Sequence, residues 1–163
     1  MVKTSTRMVG ALALTAALLS SGPVLAKSGK GNGGPGLNGV LNQSRTSVTV
    51  LIPVECAAPV VNGTTTTTTT ATLSVKIFQS VGRLINIGTG SGTPTCDGLT
   101  TDVPVTVNAV SGLTFQPGPS TILITLTETA TSSTPSLDPL NPNPVIVTSP
   151  PEITETGARI DLH

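Results

Sequence analysis

The amino-acid sequence predicts an all-β protein, a small β-sandwich of about seven strands held by one disulfide. Three observations carry that expectation. Apolar and polar residues alternate with period two in most of the chain beyond Thr46. The alternating runs are short and are separated by glycine and proline turns. No window beyond Ala26 has the 3.6-residue periodicity of an amphipathic helix.

Residues 1–26 read as an export signal. Lys3 and Arg7 give a positive start, Met8 to Leu19 is uncharged and mostly apolar, and Val24-Leu25-Ala26 offers a cleavage site. The apolar run reaches only about 18 Å as a helix, against the ~30 Å of a hydrocarbon core, so removal is expected rather than anchoring. Residues 27–45, rich in Gly and Asn, read as a flexible tether with little to bury. Residues 46–163 are left as the folded domain.

In that domain Val48, Val50, Ile52, Val54 and Cys56 fall on one face of the first strand. Pro53 has no N–H to give a neighbour, which predicts an edge or a bulge there. Thr64 to Thr70 is β-branched throughout and has no apolar face; it suits either a loop or the beginning of the next strand. Leu73, Val75 and Ile77 define that strand, and Leu84 to Ile87 its hairpin partner, ending in the glycines of 88–92. Val103, Val105 and Val107 mark another strand, as do Ile122, Ile124 and Leu126. Thr131 to Pro144 is expected as an exposed loop, followed by short strands at Val145–Thr148 and Ala158–Leu162.

Cys56 and Cys96 are the only cysteines and lie beyond the export signal, so they are expected to pair in an oxidising compartment. Closing a loop of about 40 residues is worth about 4 kcal/mol in the chain-entropy account. The staple has a reason to exist. The chain has no Trp or Tyr and only two Phe, Phe78 and Phe115, which leaves a thin aliphatic core.

Composition also excludes functions. Charged residues make up 10% of the chain, and loss of Lys3 and Arg7 with the signal leaves six basic residues against eight acidic. That balance, without stacking aromatics, does not suit nucleic acid. His163, the only histidine, is the last residue, where no partner would hold an imidazole for catalysis. The acidic residues are dispersed; Asp97 and Asp102 share a loop, but turn capping accounts for Asp97 equally well as a weak cation site. No catalytic residue, metal ligand or cofactor is expected.

Over Thr46 to Leu162 this layout resembles small exported bacterial immunoglobulin-like sandwiches, many with no assigned activity, and that resemblance implies two facing sheets and a role in surface contact. An antibody-type domain would place a Trp between its cysteines and a Tyr two residues before the second. Here there is no Trp and that position is Pro94. A second resemblance is to chaperone-assembled pilus subunits, in the alternating segment Thr46 to Cys56 after the signal and in Cys96 about forty residues on. It implies strand exchange between copies. The chain departs from that class in ending Ala158-Arg159-Ile160-Asp161-Leu162-His163, without an aromatic.

The expectation is therefore an exported non-enzymatic β-sandwich acting by surface contact, as an envelope, matrix or cell-surface component. The alternatives are a strand-exchanging fibre subunit and, less favoured by the residues, a hydrolase. The expected location is extracellular or periplasmic, with no membrane span in the mature chain. The expected partner is a protein or a cell surface, or a second copy met through an edge strand.

Overall fold

A computed structural model describes residues 37–138 and 140–163. The expected signal, residues 1–26, and the first part of the expected tether lie outside the described residues. Among those described there is no helix, so none is long and apolar enough to cross a membrane.

Nine strands follow one another: β1 (Leu37–Leu41), β2 (Ser47–Glu55), β3 (Val60–Asn62), β4 (Thr65–Val81), β5 (Leu84–Gly92), β6 (Thr100–Ala109), β7 (Gly118–Thr134), β8 (Val145–Thr148) and β9 (Glu152–Leu162). They form one sheet in the order β3-β4-β5-β6-β2-β1-β9-β7-β8, and β4 also pairs with β7. That last ladder runs from Thr66 opposite Ser133 to Phe78 opposite Thr121 and closes the sheet on itself. The seven strands β4, β5, β6, β2, β1, β9 and β7 make a barrel; β3 and β8 lie outside the ring. Every pairing is antiparallel except that of β1 with β9.

Closure corrects the expected sandwich. Two facing sheets need two unjoined margins, and here the β4–β7 and β1–β9 ladders join them. Glycines allow so tight a ring. A Cβ on Gly39 would meet Val48 Cγ1 at 2.6 Å, and one on Gly90 would lie 2.5 Å from the carbonyl oxygen of Thr106. Gly88, Gly90 and Gly92 thus turn the inner face of β5 into bare backbone pressed against its neighbours, and the strand continues through the stretch expected to end it.

The core is the aliphatic set expected from the alternation: Val48, Val50, Ile52 and Val54 of β2; Leu73, Val75 and Ile77 of β4; Val103, Val105 and Val107 of β6; Ile122, Ile124 and Leu126 of β7. Phe115 joins them from the loop after β6 and is fully buried. It plugs one end of the barrel. Gln79 holds that plug in place: its Nε2 donates to the carbonyl of Gln116 at 2.6 Å, and its Oε1 accepts from the Gln116 N–H at 2.8 Å.

Three further expectations are revised. Leu37–Leu41, in the segment read as tether, is strand β1, placed between β2 and β9. Leu37 and Leu41 pack against the core on either side of inward-facing Gly39, which fills its place with main chain alone. Thr131–Thr134, expected as loop, ends β7, and the threonine run begins β4. β9 starts at Glu152, ahead of the expected Ala158. Pro53 lies beyond the end of β1, where the second edge of β2 pairs with no strand among the described residues, so the edge expected from this proline exists locally.

Candidate functional site

β4 and β7 have seventeen residues each, about 56 Å of extended chain at ~3.3 Å per residue. Only part of each belongs to the barrel. β9 leaves β7 at Glu128, and β5 leaves β4 at Leu73. Beyond those points Thr66 to Thr70 still pairs with Thr129 to Ser133, now with β3 on the outside of β4 and β8 on the outside of β7. The result is a four-stranded arm, about 20 Å long, standing on the rim of the barrel.

The arm has its own chemistry. Thr65 and Thr134 share a hydroxyl hydrogen bond at 2.8 Å, and Thr67 and Ser132 one at 2.9 Å, both on the face that continues the barrel interior. β-Branched threonine favours the extended backbone, and its hydroxyl lets the strand stand in water with no core behind it. At the margins Val60, Val61, Val145, Ile146 and Val147 are exposed. At the tip, in the loop between β7 and β8, Leu137 and Leu140 are 97% and 93% exposed. Over residues 57–70 and 129–149 the sequence has one charged residue, Asp138, whose Oδ1 accepts from the Leu140 N–H at 2.9 Å.

Arm and barrel meet at a seam. Cys56, at the end of β2, is bonded to Cys96 before β6, with Cα atoms 4.8 Å apart. The bond ties the chain entering β3 to the barrel rim. Gly98 completes the tie: its N–H donates to the Cys56 carbonyl at 3.1 Å from a backbone at φ +78°, a conformation that suits glycine. Beside the disulfide lies Glu128, 8% exposed, opposite Ala71 on β4 and Glu152 on β9. Its Oε1 has no hydrogen-bond partner among the described residues. Burial pushes the Glu128 carboxyl above the usual carboxylate range and the charge of Glu152 pushes it further, while the Ala57 backbone N–H partly offsets both.

Cys56, Cys96 and Glu128 form a cluster of the size a metal would need, with their sulfur and carboxylate atoms within 4.8 Å of one another. The two sulfurs are bonded to each other, so neither is a thiolate that could ligate a metal. The cluster can hold a proton on Glu128, and its bonded sulfurs offer no thiolate.

Of the residues singled out from the sequence, Cys56 and Cys96 pair as expected. Asp97 caps its turn by accepting the Leu99 N–H at 2.9 Å, and exposed Asp102 pairs across the ladder with Pro53. Neither belongs to a three-residue group of potential metal ligands among the described residues. His163 has an exposed side chain, but its backbone is held: its N–H donates to the Gly39 carbonyl at 3.0 Å and its carbonyl accepts from the Leu41 N–H at 2.8 Å. Glu128 is a buried acidic residue that the dispersed spacing of the acidic residues does not single out. Its signal was parity, since Ile122, Ile124, Leu126 and Glu128 share one face of β7.

No family model matches this chain, and no curated protein or solved structure matches it.

Proposed function

We propose that this is an exported, non-enzymatic contact protein, an envelope, matrix or cell-surface component in which the barrel is the mount and the arm is the contact surface. The observation that carries the reading is the arm's surface: nearly uncharged, hydroxylated on its faces, and apolar at margins and tip through Val60, Val61, Ile146, Leu137 and Leu140. Exposed apolar residues grouped on a projecting element fit recognition, while Asp97 and Asp138 cap turns and Glu128 lies at the seam. Export rests on the signal-like residues 1–26, and the disulfide suits an oxidising compartment.

The test is retention on envelope material from the source cells. Leu137→Ser with Leu140→Ser should lower retention at least about tenfold, as loss of two apolar anchors does at an interface. Leu84→Ser, an equally apolar change on the barrel surface, should leave it unchanged. Equal retention of all three proteins would refute the arm as the contact surface. Mass spectrometry of the exported protein should give a mature chain beginning at Lys27.

A second reading, the strand-exchanging subunit, is favoured by the free outer edges of β3 and β8, which pair with no strand among the described residues.

A further inference from the structure

We propose that β8 is a self-complementary edge through which two copies of this chain pair antiparallel about a two-fold axis at Val147. The inference deepens the contact reading, since it gives one margin of the arm a second copy as its partner.

The direction of the backbone groups follows from one hydrogen bond. Ser149 N–H donates to the Ala130 carbonyl at 2.9 Å, so Ala130 and Ser149 are a hydrogen-bonded pair of the β7–β8 ladder. In an antiparallel ladder such pairs alternate with non-bonded ones. Val147 opposite Ser132 and Val145 opposite Thr134 therefore direct their N–H and C=O groups at β7. Ile146 and Thr148 direct theirs away from it, at the free edge.

Those two residues are spaced to satisfy each other. With a two-fold axis at Val147, Ile146 of one copy faces Thr148 of the other as a hydrogen-bonded pair, and the symmetric pair forms on the far side of the axis. Every outward N–H and C=O of Ile146 and Thr148 is then matched. The two Val147 residues meet as the non-bonded pair between them, where side chains approach most closely. Pro144 and Pro150 bracket the edge and hold the register to this short run.

The edge also lacks the usual guards against pairing. Lysine, inward charge or an internal proline commonly protects an outer strand. β8 is Val-Ile-Val-Thr, all four residues are exposed, and the only charge in the arm is Asp138 at the tip. Two copies therefore approach without like charges opposed along the edge. The contact is small against the roughly 1,200 Å² of a standard interface, so association is expected near ~0.1 mM rather than in the nanomolar range.

The experiment uses the full exported chain with its native disulfide. Sedimentation equilibrium of the wild type should show mass rising from monomer toward dimer as concentration passes through that range, with no larger species. Ile146→Pro removes an outward N–H and leaves the β7 ladder intact; it should weaken the dimer at least about tenfold. Thr148→Lys, which puts a charge on the edge without touching a backbone group, should do the same. Val147→Cys should form a covalent dimer under mild oxidation. Val145→Cys should not, because its symmetry mate would lie about 13 Å away, beyond disulfide reach.

A wild type that stays monomeric, mass growing past dimer, or equal cross-linking from positions 145 and 147 would each overturn the proposal. Retention of the monomeric Thr148→Lys protein on envelope material is read separately. If it binds as the wild type does, the contact reading survives whatever becomes of the dimer.

Discussion

The barrel and the arm are built from the same two strands, yet they are held together in different ways. Within the barrel, β4 and β7 contribute Leu73, Val75, Ile77, Ile122, Ile124 and Leu126 to a closed core. Six residues further along the same strands the inward face is Thr65, Thr67, Ser132 and Thr134, joined by hydroxyl hydrogen bonds in partial contact with water. A buried aliphatic side chain contributes about 1.5–3 kcal/mol through removal from water. A hydroxyl pair open to solvent contributes much less, because water replaces either partner. The barrel therefore supplies the stability, and the arm is the part free to vary its surface.

Breaking the disulfide should produce the largest effect. Replacing Cys56 and Cys96 by Ala, or reducing the native protein, should cost about 4 kcal/mol, read as a fall in midpoint in denaturant melts of the two forms. The loss should be felt at the seam, where the bond fixes the chain entering β3 to the barrel rim. Equal midpoints would mean that the closed ladders suffice without the staple.

A smaller effect should separate the seam from both regions through pH. The Glu128 carboxyl is raised above its unfolded value, mainly by burial, so the folded state keeps a proton that the unfolded state has already released. This group's contribution to stability is full below the usual carboxylate range and is lost as pH rises through the raised value. Glu128→Gln should flatten that slope and stabilise the protein at neutral pH, measured as melting temperature against pH. A parallel pair of curves for the two proteins would show that Glu128 does not titrate in this way.

The smallest effect should come from the arm itself. Thr67→Val removes the hydroxyl bonded to Ser132 but keeps the β-branched shape, and should change stability by no more than about 0.5 kcal/mol. A loss comparable to that of a core truncation would erase the distinction between the two regions.

The sequence made the core legible because alternation marks which side of a strand is buried without regard to its neighbours. Val48 to Val54, Leu73 to Ile77, Val103 to Val107 and Ile122 to Leu126 were all identified in this way, and all are inside. The arm was legible only in pieces. Thr64 to Thr70 suited a strand by propensity, while Thr131 to Thr134 looked like loop because its polar residues show no buried face. What makes the latter a strand is its partner, sixty-odd residues away in the chain, as in the 2.9 Å bond between Thr67 and Ser132. Leu37–Leu41 was hidden for a similar reason, since Gly39 interrupts the inward face between Leu37 and Leu41 and the alternation is too short to stand out.

By itself, then, the sequence determined the all-β class, the Cys56–Cys96 pairing and the inward sets of β2, β4, β6 and β7, because each of these is set by local alternation or by the absence of any other partner. Tertiary structure alone decided that the sheet closes into a barrel, that β4 and β7 run on into an arm, and that Glu128 sits against the disulfide. Those outcomes depend on which distant strands share hydrogen bonds and how closely glycine lets them approach, and neither quantity is written in any one stretch of chain.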